Sequence, residues 1–309
     1  MIRRAVLLLG IGFALVLAGC GLGAGGSTEG AASLLVTRDF GEREIGRASQ
    51  DPIKGGETVM RMLQREFDVQ TRYGGGFVQA INGIPGGQQD GRPVDWFYYV
   101  NGVLASNGAA AHKLEAGDKV WWDRRDWGAS QDVRAVVGAF PEPFQSGVGG
   151  KKLPIRLVCL GDAGRSCDEV EERLQQAGVK ALARSNLEQS VGKVLRVLVG
   201  AWPDVRKDIA AQQLEKGPQA SGVFAKPSVD GRELALLDAT GGVQRKLGAA
   251  SGLVAATSFA DQEPTWLVTG TDEVGVAAAA AAVTEDQLRD RFALAIEAGK
   301  SVPLPLEAP

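Results

Sequence analysis

Aromatic side chains gather in one stretch of this chain. Four of the six Trp and all three Tyr fall between Tyr73 and Trp127, with the densest pieces at Trp96-Phe97-Tyr98-Tyr99 and Trp121 to Trp127. Large rings bury much area at little entropic cost, so such a set suits a flat organic ligand, a sugar or a protein partner. The candidate ligand-binding residues are Tyr73, Phe77, Trp96, Tyr98, Trp121 and Trp127. If these runs are strands, Trp96 and Tyr98 share one face, Phe97 and Tyr99 share the other, and Trp121 and Trp122 diverge. A sheet with one helix covers only one of its faces, which leaves the other rings exposed or under a partner. The same residues also read as core and cross-strand packing. A ligand site requires them to line a concavity, whereas an interaction module would present them as a flat exposed patch.

Other chemistry-bearing types are sparse. His112 is the single histidine, so a His-rich site is excluded and any Ser-His or Cys-His pair would have to use that imidazole. Ser251 does not sit in a G-x-S-x-G context. The Gly161 to Ser166 loop lacks the Gly-Lys-Ser/Thr ending of a phosphate loop. Thr271 and Asp272 close a strand and open a helix, where they read as caps. Asp123, Asp126 and Asp162 have no spacing that singles out an acid/base pair. The chain is therefore read as a non-enzyme with no catalytic cofactor and no metal. A net charge of -3 with mixed signs gives no basic footprint for nucleic acid.

The first 20 residues place the protein. A basic start at Arg3 and Arg4 precedes an apolar run that ends in Leu17-Ala18-Gly19-Cys20, the layout of an export signal and too short for a spanning helix. The ending resembles the lipobox of bacterial lipoproteins. That resemblance implies cleavage before Cys20, a diacylglycerol on its thiol, and a chain held to the extracytoplasmic face of the cell membrane by acyl chains such as palmitate. Removing Arg3 and Arg4 leaves 32 basic against 37 acidic side chains, or -5. Residues 21–32, rich in Gly and Ala, read as a flexible tether. In an oxidising compartment Cys159 and Cys167 are a candidate disulfide, with two buried thiols as the alternative.

Two dissimilar domains follow. From Ser33 to about Trp127 short strands surround one amphipathic helix, in which Val59, Met62, Leu63 and Phe67 share a face. Two strands, a helix and further strands give the α+β order of a β-grasp domain, assigned to 33–140. The Pro/Gly-rich stretch 141–152 reads as a linker. Over 153–309 strands and helices alternate, which predicts an α/β three-layer domain. Expected helices there include one opened by Ser166 and Glu169, an Ala-rich one from about Asp272, and one from Thr284 to Gly299.

Asp95-Trp96-Phe97-Tyr98-Tyr99-Val100-Asn101-Gly102, followed by Leu114-Glu115-Ala116-Gly117-Asp118-Lys119-Val120-Trp121-Trp122, resembles bacterial surface domains related to the C-terminal β-grasp domain of transcobalamin and intrinsic factor. The Glu57-Thr58-Val59 to Leu63 run matches the start of that family's helix. The resemblance covers about a third of the chain, and the vertebrate proteins' helical barrel has no counterpart here. It implies cobalamin or another corrinoid as a bound ligand, delivered to an uptake transporter. Family members often carry a tyrosine near the position of His112. The expected function is thus a lipid-anchored extracytoplasmic binding protein, with a protein or glycan interaction module of the cell envelope as the alternative.

Overall fold

The computed structural model describes Ser27 and residues 29–307. The export signal, Cys20 and most of the expected tether lie outside the described residues. The described chain is mixed α+β and rich in strand.

In the first half, β1 (Ala32–Arg38), β2 (Arg43–Gln50), α1 (Val59–Glu66), β3 (Val69–Arg72), β4 (Phe77–Ile81), β5 (Ile84–Pro85), β6 (Gly87–Gln89), β7 (Arg92–Val100), β8 (Val103–Leu104) and β9 (Lys119–Asp126) follow in order. The main sheet runs β2-β1-β9-β7-β6, with β8 on β7; β1 and β9 are parallel and the other pairs antiparallel. A small second sheet, β3-β4-β5, stands beside it. Helix α1 starts where the Thr58 hydroxyl accepts the Arg61 N–H at 3.2 Å, and it buries Val59, Met60, Met62 and Leu63. These pack on Leu34, Val36, Trp96, Tyr98 and Trp122 from one face of the main sheet.

The second half contains β10 (Ile155–Cys159), α2 (Gly164–Gln176), β11 (Leu182–Ser185) and β12 (Leu195–Ala201). The short helices α3 (Trp202–Val205), α4 (Ile209–Gln212) and α5 (Pro218–Ser221) come next. Strands β13 (Ala225–Pro227), β14 (Leu234–Leu237), β15 (Val243–Leu247), β16 (Gly252–Thr257) and β17 (Thr265–Gly270) precede α6 (Glu273–Ala281), α7 (Glu285–Leu288), β18 (Ala293–Glu297) and β19 (Lys300–Leu304). The large sheet runs β11-β10-β12-β17-β16-β18-β19, parallel as far as β17 and antiparallel beyond. Helices α2 and α6 share a core with one of its faces. The alanines of α6 allow a close approach, since a Cβ at Gly270 would lie 2.4 Å from the helix backbone.

The opposite face of the large sheet meets the first half of the chain. Leu35, Phe40, Tyr99 and Trp121 share one core with Phe224, Leu253 and Phe292. The Phe292 ring lies 5.0 Å from Trp121, 5.1 Å from Phe40 and 5.7 Å from Tyr99. The partner that covers the second aromatic face is therefore the rest of the same chain. The Pro/Gly stretch read as a linker joins in: Pro141 to Phe144 are buried, and Phe144 packs edge-on to Trp266 at 5.0 Å.

Two expected helices differ. Helix α2 begins at Gly164 with no side-chain cap, so Ser166 is an interior residue and not its N-cap. The helix predicted from Thr284 to Gly299 is a single turn, α7, followed by the β18–β19 hairpin. Thr284 does cap it, accepting the Gln287 N–H at 3.3 Å, but Asp290 takes a φ of 59° and ends the helix. Phe292, Ala295 and Ile296 fit helical spacing and a doubly buried strand equally well, and tertiary pairing with β16 decides for the strand.

Candidate binding surface

The six candidate aromatics do not converge. Trp96 and Tyr98 lie in the core under α1. The Trp96 indole N–H donates to the Ile84 carbonyl at 3.1 Å, while Tyr98 stacks on Trp122 at 4.8 Å and donates its hydroxyl to the Asn107 carbonyl. Burial pushes the Tyr98 phenol up to about 12. Trp121 faces the other way, against Phe292, and donates to the Thr37 hydroxyl at 2.7 Å. A Cβ on Gly41 or Gly138 would come within 2.8 Å of the Trp121 ring, so two backbones hold that indole where no ligand reaches it. Trp127, half-buried, donates to the Asp95 carboxylate at 3.1 Å. These four residues position the fold.

Tyr73 and Phe77 are different. They flank the turn of the β3–β4 hairpin and are 86% and 39% exposed, with ring centroids 6.3 Å apart and edge to face. Tyr73 has a φ of 53°, a left-handed backbone that costs a bulky L-residue about 1–2 kcal/mol. Gly74 and Gly75 continue the positive φ, and a Cβ on either would meet nothing within 4 Å. The turn therefore displays its ring outward. The loop carrying Gly108 runs beside it, 3.9 Å from the Gly76 carbonyl to a Cβ placed on Gly108. His112, at the end of that loop, is half-buried and edge-on to Tyr98 at 6.2 Å.

Two charged residues of β9 are buried and bonded to the end of β1 and to the segment that follows β9. Asp123 is fully buried and accepts from the Thr37 hydroxyl at 2.5 Å, the Gly41 N–H at 3.0 Å and the Phe40 N–H at 3.1 Å. Desolvation outweighs those donors and pushes its carboxyl up to about 6. Arg125, also fully buried, lies 3.9 Å over the Phe97 ring and donates to the Ser130 and Gln131 carbonyls at 2.8 and 2.9 Å. Neither was singled out by spacing.

In the second half the chemistry-bearing residues act as braces. Cys159 and Cys167 are joined, with Cα atoms 5.8 Å apart, and tie the end of β10 to the first turn of α2. Asp272 caps α6 through the Gly275 N–H and holds the Ala250 N–H, both at 2.8 Å. Ser251 is buried. Among the described residues no three His, Cys, Asp or Glu side chains gather as a metal site, and no helix is long and apolar enough to cross a membrane.

Residues 56–125 match a family described as a domain of unknown function, DUF4430. The matched span runs from just before α1 through β9 and so includes the hairpin tip. No curated protein matches the chain. A solved structure from Ruminococcus gnavus, named as a provisional metal-binding protein, is similar at 14% identity with a TM-score of 0.26, over 32% of this chain and 98% of its own.

Proposed function

We propose that this chain is a lipid-anchored extracytoplasmic binding protein, attached through Cys20, whose first half is a β-grasp domain that engages its partner with the Tyr73–Phe77 tip. The observation that carries the reading is Tyr73 itself. An almost fully exposed ring on a left-handed residue lowers stability with no packing return beyond its edge contact with Phe77, and such strain persists where binding uses it. The sheet order, with parallel β1 and β9 in the centre and α1 across one face, supports the β-grasp assignment. The bonded cysteines fit an oxidising compartment.

Two exposed rings on a projecting turn favour a macromolecular partner of the cell envelope, because a small molecule would gain more from an enclosing pocket. Capture of a corrinoid for an uptake system is the second reading. The open space over Gly74 and Gly75 favours it by letting a flat ring system lie against both aromatics. Equilibrium dialysis of the mature protein against cobalamin and cobinamide separates the two. Saturable binding that weakens at least tenfold in Tyr73→Ala selects the corrinoid. No retention of either corrinoid removes that reading and leaves the macromolecular one to be tested in cells.

A further inference from the structure

A concavity lies where the first half of the chain meets its C-terminal strand, and it shares no residue with the tip. The cleft measures about 790 Å³, within the ~300–1,000 Å³ usual for organic ligands, and it sits at a seam between structural units, where such sites are common. One wall is built from the ends of β1 and β9 and the start of β7, the other from β19 and the residues after it. Phe40, Val94 and Leu304 give it a buried apolar floor.

Four arginines, Arg38, Arg43, Arg92 and Arg291, line this cleft. Arg92 is paired with Asp126 at 3.3 Å. Arg38 and Arg43 share Asp39 at 3.7 and 3.8 Å, beyond hydrogen-bond length, and Arg291 has no ion-paired or hydrogen-bonded side chain among the described residues. Three of the arginines lining this apolar-floored space thus keep N–H donors free, and a planar guanidinium with free donors binds a carboxylate or phosphate in two-point fashion. Glu42 and Glu307 stand exposed on the same lining. They would repel an extended polyanion, so the balance selects one anionic group on an apolar body.

We infer that this cleft is a binding site for a small organic anion with an apolar portion. The probe is 8-anilinonaphthalene-1-sulfonate, which carries one anionic group on an aromatic body, titrated into the native mature protein. The expected result is a saturable fluorescence rise with one site per chain, weakened at least tenfold in the double variant Arg43→Gln/Arg291→Gln and unchanged in Arg245→Gln, whose arginine pairs with Glu297 away from the cleft. Arg43 is exposed and Arg291 half-buried, so the double variant should unfold at the wild-type urea midpoint, which checks that the fold is intact. If it does not, the single variant Arg43→Gln gives the reading. Absence of saturable binding, or binding equally tight in the charge-removed protein, overturns the inference. The Tyr73→Ala variant should bind the probe like wild type, which keeps this result separate from the fate of the tip.

Discussion

Acidification should stabilise the folded chain through Asp123. Its carboxyl is held at about 6 in the folded chain, against 3.8 for a free aspartate, because burial penalises the charged form more than three hydrogen bonds favour it. A raised folded value means the native state binds the proton more tightly. The associated stability is fully present below about pH 4 and is lost as pH rises through 6. A difference of roughly two pK units corresponds to about 3 kcal/mol in full and about 2 kcal/mol between pH 7 and pH 4.5. The protonated carboxyl can donate to the Thr37 hydroxyl, which can turn toward the Trp122 carbonyl at 3.4 Å, so the network accommodates the change. Other groups shift the total: Glu215, Asp230 and Asp238 are held low and Asp95 high. The assay is therefore a difference, urea unfolding of wild type and Asp123→Asn at both pH values. Wild type should gain about 2 kcal/mol relative to the variant on going from pH 7 to pH 4.5. A difference that does not change with pH, or one that changes with the opposite sign, rules out a raised Asp123 carboxyl. If Asp123→Asn fails to fold, carbon-detected NMR titration of the wild-type carboxyl reads the same quantity.

Phe292→Ala should destabilise by about 3–5 kcal/mol and split a single unfolding transition into two, because that ring joins Phe40, Tyr99 and Trp121 to the large sheet; calorimetry reads both effects. Removing the disulfide as Cys159→Ala/Cys167→Ala should cost about 2–3 kcal/mol in denaturant unfolding, the amount expected for closing so short a loop. Tyr73→Asn, which tolerates the left-handed backbone, should keep or slightly raise the melting temperature while abolishing partner binding. Radiolabelled palmitate should label the protein in cells, and Cys20→Ala should lose the label and leave the membrane fraction.

The local signals in the sequence were sound where a segment decides its own structure. The Val59, Met62 and Leu63 spacing gives α1, and the alternation through Trp96 to Tyr99 sorts those rings onto two faces as strand geometry requires. What the sequence could not carry was the identity of the cover. Trp121 and Tyr99 look available because one helix cannot bury both faces of a sheet, yet Phe292, 171 residues along the chain from Trp121, closes over them. The same long reach misled the reading of 284–299, where a genuine cap at Thr284 precedes a strand whose pairing with β16 overrides helical spacing. The cleft was illegible for a related reason: its arginines come from positions 38, 43, 92 and 291, and no window of sequence contains them together. At the tip the sequence supplies only the residue types of Tyr73 and Phe77, and the backbone alone shows Tyr73 in a conformation that turns its ring away from the core.

On the proposed function, the β3–β4 turn is the surface that meets the partner. Replacing Phe77 with a photo-cross-linking phenylalanine analogue in intact cells tests it, with the same analogue at exposed Val229 as the control. A discrete adduct is expected from position 77, absent from position 229 and lost when Tyr73→Ala is added. Equal or absent cross-linking at the two positions would contradict it.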